Sequence, residues 1–247
     1  MATKTKDIIE TLKDDTQYYG DFGKQYLSNS DIGALLSNPA NFRVKKPDNN
    51  AFAMGRYFHQ LLLEPEKAEN TLCVDVTSRN SKAYKEFIAE HNVELALLNK
   101  ECATVQGWVN KIRSNFKLFD KMTEESNQYE VPAVGMIKGV QWKGKADIIC
   151  DDCIIDLKTT SNIHKFQWSA YDYNYDSQAY IYEQLFGKRL VFYVIDKNTN
   201  MLGRIPTSDD FIRKGEMKVE RAIEQYHKFF GENPTEDIDS YIFETIL

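Results

Sequence analysis

Two apolar runs near the middle of the chain each carry an acid where a buried strand tolerates one poorly. The first is Gly144-Lys145-Ala146-Asp147-Ile148-Ile149-Cys150, and the second is Cys153-Ile154-Ile155-Asp156-Leu157-Lys158. A carboxylate embedded in such a run is costly unless a cation, a metal or a ligand answers it. Asp151-Asp152 between the runs reads as a hairpin turn, so both acids are expected near one end of a sheet. On a strand, Asp156 and Lys158 share one face while Leu157 points to the other. Paired carboxylates beside an ammonium suit a divalent-metal phosphodiester site. The acids hold hard cations, and the lysine orients the attacking water or stabilises charge on the phosphate. An isolated Asp-x-Lys reads as an ordinary polar strand edge; the strand-forming residues around both acids favour the site.

Those acids need a sheet, and the flanking pattern predicts one. Residues 129–138, 140–150 and 153–159 read as a meander, with 190–196 and 201–206 as a further hairpin joined by Asn198-Thr199-Asn200. A long helix is predicted over about 165–186, closed by Gly187, and a final one over about 208–230. Upstream, Ser28 or Ser30 caps a short helix that Asn38-Pro39 ends. Further helices are predicted over about 50–63, stopped by Glu64-Pro65, and over 81–91 and 100–115, with a short strand at Val74-Asp75-Val76. This is an α/β pattern: a mixed central sheet flanked by helices. Residues 1–27 read as an arm or a first helix ahead of a single domain over 28–247.

Other residues could join the chemistry. His59 lies in the helix over 50–63, and Gly55, four residues earlier on the same face, suggests that something approaches that helix closely. A packed histidine is the competing reading of His59. Gln178 and Tyr182 are four apart and adjacent on one helical face, where an amphipathic surface competes. Lys143 and Lys145 alternate on the strand ending in Asp147 and are candidate phosphate contacts, as are Arg43, Lys45 and Lys46 in a basic loop. Glu130 is either an additional acid for a metal or an exposed strand start. Tyr171, Tyr173, Tyr175 and Tyr180 read as core or channel packing.

Composition sets the outer limits. At 247 residues, with 42% apolar and 28% charged residues, the chain suits one sizeable soluble domain. No apolar run is long enough to span a membrane. The N-terminus lacks the apolar core of a signal peptide, so a cytoplasmic protein is expected. The four cysteines do not make a disulfide scaffold; Cys73 and Cys102 stand singly, and Cys150-x2-Cys153 lacks the second pair of a structural zinc site. A net charge of −6 argues against DNA binding over the whole surface, though a cleft can be locally basic and metal ions add charge.

The Asp147 and Asp156-Leu157-Lys158 segments resemble the PD-(D/E)xK nuclease superfamily. Within it, five motifs in order resemble the RecE-type exonuclease VIII domain over residues 27–230. They are Ser30-Asp31; Asn38-Pro39-Ala40; Gly55 to Pro65; Ile155 to Thr160, followed by Phe166; and Tyr171 to Tyr182. The resemblance implies a restriction-endonuclease-like core with Asp147 and Asp156 on Mg2+, which Mn2+ can replace. It also implies His59 and the Leu157 carbonyl as further ligands, Lys158 as the water-positioning group, and Gln178 and Tyr182 facing the active site. The implied activity is 5′ to 3′ digestion of linear double-stranded DNA, leaving 3′ single strands for an annealing protein of RecT type. A tetrameric ring of subunits is implied with it. The alternatives are an endonuclease or repair nuclease of the same superfamily, or a catalytically silent binding protein on this fold.

Overall fold

The computed structural model describes residues 2–45 and 47–244. Helices α1 (Ala2–Leu12), α2 (Asp15–Tyr19), α3 (Asn29–Ser37), α4 (Asn50–Leu63) and α5 (Pro65–Ala68) come first. Strand β1 (Cys73–Val74), α6 (Lys82–Glu90), β2 (Leu97–Leu98), α7 (Asn99–Arg113) and α8 (Phe116–Met122) follow. The central strands are β3 (Gln128–Ile137), β4 (Val140–Ile149) and β5 (Cys153–Thr160). Then come α9 (Phe166–Asp172), α10 (Tyr175–Phe186), β6 (Arg189–Asp196), β7 (Leu202–Pro206) and α11 (Asp209–Phe229).

The main sheet runs β3-β4-β5-β6-β7, antiparallel throughout except for the parallel pair β5–β6. Its strands alternate apolar residues between two cores. Ile154, Leu190, Phe192 and Val194 pack with α3, α10 and α11 on one face. Ile155, Leu157, Val191, Tyr193 and Ile195 pack with α4, α7 and α8 on the other. Asp156 and Lys158 belong by parity to the first face, and Leu157 is fully buried in the second core.

Local signals explain the ends of the helices that matter. Asn49 caps α4 by accepting from Phe52 N–H, and the helix stops at Glu64-Pro65. Ser28 and Asp31 cap α3 reciprocally, which selects Ser28 over Ser30. The hydroxyl of Ser208 caps α11.

Three departures from the sequence expectations stand out. The helix expected over 165–186 is broken, because Asn174 adopts a left-handed conformation (φ 57°) between α9 and α10. Lys218, reaching from α11, holds that break by donating to Tyr171 O and Asn174 Oδ1 and pairing with the buried Asp176. Cys73 and Cys102 do not stand singly but form a disulfide; the β1–β2 pairing sets Cys73 opposite Leu97, just ahead of α7. Gly55 accommodates no close neighbour: a Cβ placed there would meet no protein atom within 4 Å. The early chain is helical and packed, with Leu12 and Tyr18 buried. Leu27 N–H donates to Gln141 O and Leu27 O accepts from Lys143 N–H, so this segment pairs with β4 where β5 does not reach.

No helix among the described residues is long and apolar enough to cross a membrane.

Candidate active site

The site opens where two strands part. The β4–β5 ladder pairs Ile148 with Ile155 and Ile149 with Ile154, next to the Asp151-Asp152 turn. Beyond those pairs, Leu157 N–H donates to Asp147 Oδ2 at 2.8 Å, so a side-chain carboxylate takes the place of a main-chain acceptor. β5 meanwhile keeps a full parallel ladder with β6 from Cys153 to Thr160. The two acids therefore flank a wedge-shaped gap, with Asp147 8% and Asp156 1% exposed.

Asp156 is held from two sides. Its Oδ1 accepts from Gln178 Nε2 on α10. Its Oδ2 is paired directly with Lys158 Nζ. A buried carboxylate is the kind of oxygen donor that a hard cation takes. Burial lowers the Lys158 pKa, but Asp156, Tyr175 and Asp147 outweigh it and hold the ammonium above its usual range. Lys158 is therefore placed as a positive charge and a hydrogen-bond donor beside Asp156.

His59 reaches the same gap from α4. Its Nε2 lies 2.9 Å from Leu157 O and its Nδ1 lies 3.3 Å from Asp147 Oδ2. A carbonyl only accepts, so Nε2 carries the proton and Nδ1 faces Asp147. Two acceptors facing one another call for a proton or a metal between them. Roughly 3 Å is also the separation of neighbouring ligand atoms around a small octahedral ion. The Leu157 carbonyl uses one lone pair on His59 and keeps the other.

Glu130 completes the acidic wall. The β3–β4 register (Tyr129 opposite Ile148, Val131 opposite Ala146) sets Glu130 across from Asp147, on the same side of the sheet. Glu130 adopts φ 49°, uncommon for a non-glycine residue. The ligand atoms of His59, Glu130 and Asp147 all lie within 4.8 Å of one another. Burial, with Asp147 and Glu64 adding, pushes the Glu130 carboxyl up to about 8. Burial raises Asp147 too. Acids crowded this closely, with too little positive charge to answer them, fit a divalent cation.

The remaining sequence candidates divide. Tyr182 donates to Lys145 O at 2.6 Å and lines the cleft with Gln178, one helical turn earlier. That contact needs Gly144, where a Cβ would come 3.0 Å from the Tyr182 ring. Lys143 and Lys145 line the cleft as well, but α2 engages both. Lys143 Nζ donates to Tyr18 O and lies 4.2 Å from the Tyr18 ring centroid, and Lys145 pairs with Asp15. Burial pulls the Lys143 ammonium down to about 8 against the opposing charge of Asp31, with Arg43 and Lys145 adding to the fall. Arg43 instead ties the early chain together, donating to Lys24 O and Tyr26 O. Lys45 pairs with Glu94 at the surface. Lys46 lies outside the described residues.

The cleft, about 690 Å³, is also lined by Asp15, Tyr18, Tyr19, Arg56, Gln60 and Glu64, none of them sequence candidates. Arg56 had a readable signal, since it sits three residues before His59 on one helical face. The α2 residues had none. Their place follows from how the early chain folds back across β4.

Residues 33–235 match the family described as a PDDEXK-like domain of unknown function (DUF3799). The chain belongs to that family. Its fold is similar to the crystal structure of a "putative exonuclease" from Eubacterium rectale, with 16% identity, a TM-score of 0.64 and 95% of each chain covered. A second solved structure, SSO0001, aligns over 70% of this chain and 84% of its own at 16% identity, with a TM-score of 0.31. No curated protein matches the chain.

In this PDDEXK-like domain, His59, Glu130 and Asp147 are placed to hold a divalent ion, with Asp156 and the Leu157 carbonyl beside them. A bound divalent ion supplies Lewis acidity toward a phosphodiester and lowers the pKa of its water. The chain's own contribution is to keep the acids dry and to keep Lys158 charged. Gln178 holds the Asp156 carboxylate in one orientation. The domain is PDDEXK-like, and the cleft gathers a His/Glu/Asp group that could hold a divalent ion.

Proposed function

We propose that this protein is a divalent-metal-dependent deoxyribonuclease that digests linear double-stranded DNA from its ends. The observation carrying this reading is the convergence of Asp147, Asp156, Lys158 and His59, from three separate elements, at the gap between β4 and β5. In the proposed reaction Asp147, Asp156, His59 and Glu130 hold Mg2+ or Mn2+. Lys158 positions the attacking water and offsets charge on the phosphate as the P–O bond breaks. Gln178 keeps Asp156 aligned, and Tyr182 fixes the strand carrying Lys145.

The order of motifs in the chain supports RecE-type chemistry: 5′ to 3′ digestion that leaves 3′ single strands for a RecT-type annealing protein, in the cytoplasm.

End-labelled linear duplexes and closed circles, each with Mg2+ or with EDTA, test the reading. Loss of linear DNA alone, only with metal, is the expected result. Cutting of closed circles would replace it with an endonuclease. Absence of any metal-dependent cleavage would leave a silent binding protein.

Assembly belongs to the same proposal. A chain of net charge −6 repels phosphate over most of its surface, so processive digestion calls for a basic passage formed between subunits. A homotetrameric ring, with digestion that weakens steeply as salt rises, is expected. A monomer by light scattering together with distributive cleavage would remove the ring and leave the metal site untouched.

A further inference from the structure

We infer that Tyr173 is a stacking platform for an unpaired nucleobase next to the phosphate under attack, so that the site grips a frayed, single-stranded segment. The inference rests on the nuclease reading above.

Tyr173 is 66% exposed at the junction between α9 and α10, the helix that carries Gln178 and Tyr182. An exposed aromatic on a mobile loop would mean little; this one stands on a rigid turn. Asn174 takes a left-handed conformation, and three side chains hold it in place through four hydrogen bonds. Lys218 donates to Tyr171 O at 2.6 Å and to Asn174 Oδ1 at 3.1 Å, while Asn29 Nδ2 and Ser177 Oγ donate to Asn174 O. Lys218 is itself anchored by Asp176, which is fully buried. Gly215 admits this turn, because a Cβ there would collide with Asp176 O. The packing here keeps that conformation, and its result is to end α9 and leave the Tyr173 ring in solvent.

The ring is close to the chemistry. Its centroid lies 5.8 Å from that of Tyr175, with the planes tilted by 34°. Lys158 Nζ lies 4.8 Å from the centroid of Tyr175. Tyr175 is backed in turn by Phe166 and Phe192. Asn29, which holds the turn, also lines the cleft. Lys158 Nζ and the Tyr173 ring are thus both direct neighbours of the Tyr175 ring. A phosphate at Lys158 would bring a neighbouring base onto the free ring. Aromatic faces bind bases without regard to sequence, which suits an enzyme that must digest any end. In duplex DNA the base faces are stacked on one another, so the platform selects an unpaired base.

Tyr173→Ala and Tyr173→Phe, compared with the native protein, test this. The probe is a single-stranded oligonucleotide carrying 2-aminopurine, titrated in EDTA, followed by steady-state digestion of a linear duplex in Mg2+. We expect Tyr173→Ala to weaken binding about 5- to 100-fold, lose the stacking quench of 2-aminopurine and raise KM more than it lowers kcat. Tyr173→Phe should restore all three readings, and both variants should melt at the native temperature. Native quenching and KM in Tyr173→Ala, in a protein that cuts DNA, would overturn the platform alone. Equal losses in the two variants would also overturn it, by assigning the effect to the hydroxyl. A native protein that neither binds nor cuts DNA would overturn the nuclease reading and this inference together.

Discussion

The His59 imidazole and the Asp147 carboxylate face each other at 3.3 Å, brought together from α4 and β4. The ring cannot turn away, because its other nitrogen is held by the Leu157 carbonyl at 2.9 Å. One side chain is thereby locked between both acid-bearing strands, with Nδ1 presented to the acids.

His59→Ala is expected to weaken Mn2+ binding by about 10- to 100-fold in a calorimetric titration. The lost hydrogen bond to Leu157 O should lower stability by only about 1 kcal/mol. Unchanged metal affinity with a lowered melting temperature would make His59 a packing residue instead.

Lys158→Ala and Asp156→Asn should both abolish cleavage, and they should differ in stability. Lys158→Ala leaves the Asp156 carboxylate buried without its ion-pair partner, a loss typically worth about 3–5 kcal/mol. Melting in EDTA should therefore drop sharply for Lys158→Ala, and added Mg2+ should recover part of the loss by restoring positive charge. Asp156→Asn keeps the shape and removes the charge, so its melting should respond little to Mg2+. Equal Mg2+ responses in the two variants would separate Asp156 from the metal.

Stability in EDTA should fall as pH rises. The folded Glu130 value, about 8, lies above the ordinary glutamate value of 4.5, so folding favours its protonated form. That stabilisation is complete below about pH 4.5 and is lost as pH climbs through about 8. Melting temperatures between pH 5 and 9 should decline less in Glu130→Gln than in the native protein. A divalent ion should reverse the native decline. Parallel curves for the two proteins would remove Glu130 as the cause.

Two glycines provide a paired test of packing. Gly144→Ala would set a Cβ 3.0 Å from the Tyr182 ring and 3.1 Å from Leu185. It should cost about 1–3 kcal/mol and lower cleavage by displacing α10, which carries Gln178. Gly55→Ala meets open space on α4 and should gain up to about 1 kcal/mol in helix propensity. Thermal melts of both variants would check the contrast.

The order of elements, the α/β class and the acid-x-lysine face were legible in the sequence because they depend on local periodicity. A period of two puts Asp156 and Lys158 on one side of a strand, and Asn49 with Glu64-Pro65 bounds α4 without outside help. The PDDEXK-like membership was legible for a related reason: its motifs are short and stay in order along the chain. Tertiary structure alone decided what depends on distant segments. The parting of β4 from β5 places Asp147 against Leu157 N–H, and the β3–β4 register sets Glu130 opposite Asp147. Lys218 on α11 holds the turn that breaks a helix whose own sequence reads as continuous. The fold-back of α2 engages Lys143 and Lys145, which by pattern alone looked free. A side chain's partner is chosen by packing across the whole chain, and local spacing carries no record of that choice.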